Sequence, residues 1–131
     1  MRGIALLVLT AALLVAATGS AATSSVTALK VTYWPNGESS AEQKTWTLRC
    51  DPAGGTLARP GEACRRLAAG GRMLFMPVPR RAVCTEIYGG PDRARVIGVI
   101  DERRVWASFN LMNGCHIARW NRFSPWLLPP S

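Results

Sequence analysis

CDPAGGTLARPGEACRRLAAGG, residues 50–71, holds two of the four cysteines of a 131-residue chain around one short amphipathic segment. Pro52 to Arg59 is a glycine- and proline-rich loop. Pro60 is suited to the first turn of a helix because its missing N–H has no partner to lose there. Glu62 falls in that first turn and Arg65-Arg66 is placed toward the end, as the helix dipole favours. Cys64, Leu67 and Ala68 share one face, and Gly70-Gly71 ends the helix.

Upstream, Leu29, Val31 and Tyr33 alternate with Lys30 and Thr32, a period of two that predicts a strand. Pro35-Asn36-Gly37 marks a turn. A polar loop, Glu38 to Lys44, leads to a second alternating run through Trp46, Leu48 and Cys50. Downstream, Met73 to Met76 reads as an extended apolar segment, with Pro77 and Pro79 excluding a helix. Thr85 to Pro91 is a loop in which Gly89-Gly90 before the proline reads as turn chemistry. Val96 to Ile100 and Val105 to Phe109 are two strands about a charged turn at Asp101-Glu102. After Cys115, Ile117 and Trp120, with Phe123 beyond them, have helical spacing until Pro125. The sum is an α+β domain with about five strands in a mostly antiparallel sheet and two short helices.

The amino terminus lies outside that domain. Met1-Arg2 precede an apolar run from Ile4 to Ala17, and Gly19, Ser20, Ala21 and Ala22 supply small residues. This is the three-part form of a secretory signal peptide. The run is shorter than the roughly 20 residues of a membrane span. Residues 1–22 are therefore expected to be removed, leaving a secreted domain over 23–131. A domain of about 110 residues buries roughly two-thirds of its unfolded surface. Export to an oxidising compartment then makes Cys50, Cys64, Cys84 and Cys115 two disulfides, with three pairings open. A zinc site is not expected: there is no C-x-x-C pair, and His116 is the one histidine.

The whole chain carries 16 basic and 8 acidic residues, a net charge of +8. Much of it is arginine in separate pairs (Arg65-Arg66, Arg80-Arg81, Arg103-Arg104), not a continuous basic arm. Neither nucleic acid nor a membrane is expected as a partner, and the tryptophans at 34, 46, 106, 120 and 126 read mostly as packing residues. Catalysis is equally unsupported. His116 alone would have to activate any nucleophile, the cysteines are expected to be oxidised, and no phosphate-binding glycine motif is present. No metal, cofactor or enzymatic activity is expected.

The ordered residues resemble the Streptomyces subtilisin inhibitor family. The resemblance rests on Cys50-Asp51-Pro52, Gly55-Thr56, Ala63-Cys64, Leu67 and Gly70-Gly71. It continues through Cys84-Thr85-Glu86-Ile87-Tyr88, Pro91, Arg104-Val105 and Asn113-x-Cys115, so that it spans nearly the whole mature chain. It implies pairing Cys50–Cys64 and Cys84–Cys115, a five-stranded sheet with two helices, and a homodimer. It further implies a substrate-like loop whose reactive bond, carried over by position, is Glu86–Ile87. Val83, Cys84, Thr85 and Tyr88 would contact the protease. The implied partners are secreted serine proteases, of the subtilisin-like or the glutamate-specific kind. A non-inhibitory secreted binding protein on the same scaffold is the alternative. The residues alone read as an ordinary connecting loop; with the resemblance, a tethered loop suits the inhibitory role. A flexible peptide loses about 1–2 kcal/mol of backbone entropy per residue ordered in a cleft, and fixing Cys84 two residues before the bond removes part of that loss beforehand.

Overall fold

The computed structural model describes Gly19 and residues 26–131; the expected signal peptide thus lies, apart from Gly19, outside the described residues. Among the described residues five strands form one sheet: β1 (Thr27–Trp34), β2 (Lys44–Cys50), β3 (Gly54–Gly55), β4 (Gly90–Ile100) and β5 (Arg103–Leu111). Their order across the sheet is β3-β2-β1-β4-β5 and each neighbouring pair is antiparallel. Helix α1 (Pro60–Gly70) follows β3, and helix α2 (Gly114–Asn121) follows β5.

The alternation read from the sequence sets the register. Leu29 of β1 stands opposite Leu48 of β2, and Val31 lies between Trp46 of β2 and Val96 of β4. Val96, in turn, faces Ala107 of β5. Leu29, Leu48, Val31, Val96, Ala107, Phe109 and Leu111 are all buried on one face of the sheet. That face is covered by the two helices and by the carboxy-terminal segment, where Phe123, Trp126, Leu127 and Leu128 are buried as well. Phe75, Phe109 and Phe123 pack with ring centroids 4.9–6.4 Å apart, tilted or edge-on as aromatic quadrupoles prefer. Tyr33 and Trp120 continue the cluster with centroids 6.1 Å apart. Gly98 in the middle of β4 has φ +149°, and a Cβ there would run into the Ala28 backbone of β1. The glycine lets the two central strands approach closely.

Helix α1 begins with Pro60 at its first position and ends where Gly71, φ +57°, donates its N–H to the Leu67 carbonyl. Ala63 and Leu67 are buried, and Cys64 is bonded to Cys50 at the end of β2. Arg65-Arg66 sits in mid-helix and not in the last turn; Arg66 pairs with Glu62 one turn earlier at 3.1 Å. The two-residue hairpin turn at Asp101-Glu102 holds both residues at positive φ, +49° and +64°. That backbone matches the right-handed twist of the flanking strands.

A further sequence expectation is corrected. Met73 to Met76 does not extend as a whole; Gly71–Phe75 forms a 3-10 helix directly behind α1. Its tight turn buries Phe75 in the aromatic core while Met73 and Met76 remain exposed. Pro77 stops the turn only after this has been achieved. The fifth strand is instead Gly54–Gly55, which pairs with Leu48 and Arg49.

The other face of the sheet has no layer over it among the described residues. It presents Lys30 opposite Ile97, and Ile97 opposite Trp106. Trp106 is 70% exposed, and so stands apart from the tryptophans that pack in or against the core. The Arg95 guanidinium lies 5.3 Å from the Trp34 ring centroid and 5.6 Å from that of Trp106. Glu38 accepts from the same guanidinium at 3.1 Å.

Candidate functional site

Between the 3-10 helix and β4 the chain runs from Met76 to Gly89 with no regular secondary structure. Most of it is exposed, Val83 at 99%, Ile87 at 59% and Tyr88 at 61%. A loop this open is expected to be floppy unless something fixes it. Here three separate ties do so, all to the end of β5 and the start of α2.

The first tie is covalent. Cys84 is bonded to Cys115, with Cα atoms 5.3 Å apart. With Cys50–Cys64, this gives the pairing that the family resemblance implied. The second is a backbone bond from the Gly114 N–H to the Thr85 carbonyl at 2.9 Å. Closeness here requires glycine: a Cβ on residue 114 would overlap the Thr85 Oγ1. The third lies beyond the exposed residues, where the Gly89 N–H donates to the Leu111 carbonyl at 2.8 Å. Gly90 then opens β4 opposite Leu111 across a bulge that ends at Arg93. The glycine pair read as a turn is therefore the hinge by which the loop joins the sheet. Glu86, Ile87 and Tyr88 form the span between the second and third ties, and all three are exposed.

The support behind these ties is polar and at least partly buried. Asn113 caps α2, its Oδ1 accepting from the His116 N–H at 3.1 Å. His116 is thus a helix-start residue, and burial lowers its imidazole pKa, with the Arg119 charge adding to the effect. Arg119 is only 4% exposed. Its guanidinium donates to three carbonyls, those of Ser108 at 2.7 Å, Phe75 at 3.0 Å and Met76 at 3.0 Å. It also stacks 4.1 Å from the Phe109 centroid. Burial pulls its pKa downward, but the three acceptors and the ring hold the cation in place. It pins the chain where the loop leaves the 3-10 helix. On the trailing side, the Tyr33 hydroxyl donates to Asp92 Oδ1 at 2.6 Å. Burial and the Asp92 bond raise the phenol from 10.0 to about 12.

Sequence reading located the loop but not Arg119 or Gly114. One signal existed for Gly114, its place between a capping asparagine and a cysteine. Arg119 had none, because its partners are main-chain atoms 43 and 44 residues away in sequence, with a third 11 away. Among the described residues, no three His, Cys, Asp or Glu side chains are grouped so as to hold a metal. What the arrangement can do chemically is present a short peptide, braced on both sides, to the cleft of another protein.

Comparison with known proteins gives the arrangement a family. No curated protein matches the chain. Among solved structures, it is similar to the crystal structure of Streptomyces caespitosus sermetstatin in complex with Bacillus licheniformis subtilisin. That likeness has 28% identity and a TM-score of 0.49, covering 77% of this chain and 96% of the other. The profile described as subtilisin inhibitor-like matches residues 14–113, well over half of the sequence. The chain therefore belongs to the subtilisin inhibitor-like family, whose members are protease inhibitors and not enzymes.

Proposed function

We propose that this protein inhibits secreted serine proteases by offering Glu86–Ile87 as a substrate-like bond. The observation carrying this reading is that Glu86, Ile87 and Tyr88 are exposed between two backbone anchors, Thr85 to Gly114 and Gly89 to Leu111. A protease entering here meets a peptide whose ordering has already been accomplished by folding, so association loses less entropy. If the Glu86–Ile87 bond opens, both new ends stay anchored. Cys84 holds the acyl side through Cys115, and Gly89 holds the amine side through β5. The amine of Ile87 then remains near the acyl-enzyme carbonyl, and resealing competes with attack by water. Val83, Cys84, Thr85 and Tyr88 are the neighbouring contact residues of this reading. The alternative, a binding protein that does not inhibit, predicts plain digestion at the same bond.

Glu86 determines which proteases are stopped. Its carboxylate must shed water inside the primary specificity pocket, which an apolar pocket penalises and an acidic, trypsin-like pocket repels. Glutamate-specific serine proteases are accordingly the preferred targets, subtilisin is intermediate and trypsin weak. Glu86→Lys is expected to create trypsin inhibition, and Glu86→Leu to strengthen subtilisin binding, each by about ten- to a hundredfold. Inhibition constants against a panel of secreted proteases check this. An unchanged profile in both variants would remove Glu86 from the role.

The same reading includes export. Residues 1–22 are proposed as a cleaved signal peptide ahead of a mature domain at 23–131, and two disulfides suit an oxidising, extracellular setting. It also includes a homodimer formed through the open face of the sheet, where Trp106 and Ile97 are exposed.

A further inference from the structure

The segment leading into Cys84 contains a second peptide bond in a very different setting. The sequence has three arginine pairs. Arg65-Arg66 is wound into α1 and Arg103-Arg104 begins β5. Arg80-Arg81 lies in the irregular loop, with both residues exposed and Ala82 and Val83 exposed after them. No ion pair among the described residues engages Arg80 or Arg81. Between the Arg119 anchor at Met76 and the disulfide at Cys84, one backbone hydrogen bond braces the chain, from the Ala82 N–H to the Pro79 carbonyl at 3.0 Å. Opening a single exposed bond of this kind costs little, because water replaces the lost partner. The segment then extends to meet a trypsin-like cleft, with the Arg81 cation facing the pocket carboxylate.

We infer that Arg81–Ala82 is a cleavage site for trypsin-like serine proteases, at which the free protein is divided into two chains that no disulfide joins. Water adds across the bond, leaving a carboxylate on Arg81 and an ammonium on Ala82. Both cysteines of Cys50–Cys64 precede the cut and both of Cys84–Cys115 follow it. The Glu86–Ile87 bond has the opposite topology, because it lies inside the loop closed by Cys84–Cys115. At Arg81 the new ends share only the single Ala82–Pro79 hydrogen bond: the nearest upstream side-chain anchor is at Met76, and once that bond opens Ala82 can swing about Cys84. Hydrolysis therefore outruns resealing. The two pieces remain associated in native buffer, because β1 in the first is paired along its length with β4 in the second. If Glu86–Ile87 is the bait, as proposed above, the cut frees its leading side and weakens inhibition, while a bound target covers Val83 and shields the site.

The test is limited digestion of the mature, oxidised protein with trypsin, followed by mass mapping and a denaturing gel without reductant. The expected result is a first cut after Arg81 and two bands that separate without reductant. In R80Q/R81Q, nicking at this position should be slower by at least about a hundredfold, with the intact variant still folded by circular dichroism. A first cut in α1 or β5, fragments that stay covalently joined, or equal digestion of the double variant would each overturn the inference. The inhibition constant for subtilisin, measured before and after nicking, is a separate readout. Nicking after Arg81 in a protein whose intact form inhibits no protease would sustain this site and overturn the Glu86–Ile87 reading instead.

Discussion

Gly114 and Thr85 meet where the loop is fastened to α2, and the contact leaves no room for even a methyl group. Gly114→Ala must therefore displace the Thr85 hydroxyl, which strains the 2.9 Å bond between the two residues. Overpacking of this sort costs about 1–3 kcal/mol, and we expect a lower Tm together with a higher inhibition constant. Adding Thr85→Ala removes the overlapping Oγ1, so the double variant should recover much of the lost stability. Recovery measured by thermal unfolding checks the contact. Two titrating groups near the site set limits on pH. Tyr33 has its phenol raised from 10.0 to about 12, so the neutral form is favoured by folding and its contribution, complete below pH 10, is lost as pH rises toward 12. His116 has its imidazole lowered from 6.5, so its contribution is complete above that value and declines as pH falls below it. Urea midpoints across pH 5 to 12 should decline at both ends, and Tyr33→Phe should flatten the alkaline side. The importance of Tyr33 in this respect was not legible in the sequence, because its partner Asp92 stands 59 residues away.

At the level of elements, hydrophobic periodicity revealed what local chemistry determines. β1, β2, β4, β5 and both helices announce themselves by alternation, by Pro60 and Gly71, and by the spacing of Ile117 and Trp120. Gly54–Gly55 has no apolar pattern at all and becomes a strand because Leu48 and Arg49 offer it free backbone groups. Met73 to Met76 misleads in the other direction, since its apolar composition suits a strand while burial of Phe75 requires a turn. The charged hairpin was legible, yet its backbone holds Glu102 at φ +64°, a conformation that disfavours a residue with a Cβ by about 1–2 kcal/mol. Glu102→Gly should therefore stabilise the domain, by up to about 1 kcal/mol once the greater freedom of unfolded glycine is subtracted. The Glu102 N–H bond to the Val26 carbonyl is retained in that variant. A higher denaturation midpoint with an unchanged m-value would verify it.

Across the whole molecule, the sheet is asymmetric: one face carries the aromatic core and the other carries Trp106, Ile97 and a set of cations. Lys30, Arg49 and Arg104 are exposed there. If two such faces pair, apolar and stacking contacts must outweigh repulsion between like charges, which salt screens. The expected behaviour is a dimer by light scattering at micromolar concentration that tightens as salt is added. Trp106→Lys should weaken it by about a hundredfold, as removal of a central tryptophan anchor does. A mass near one mature chain under all these conditions would count against the dimer. Composition made the net charge plain, but how the cations are divided between faces depends on strand register and is visible only in the folded sheet.

Both the covalent partner of Cys84 and the cation that pins Met76 belong to α2, which follows the loop in chain order. If the chain is exported amino-terminus first, as proposed above, residues 76–89 are displayed before the parts that brace them. On the proposed reading, the loop is open to cleavage during that interval and acts as bait only once α2 has docked. How long the interval lasts, set against how many proteases are nearby, decides how much of each batch survives to act.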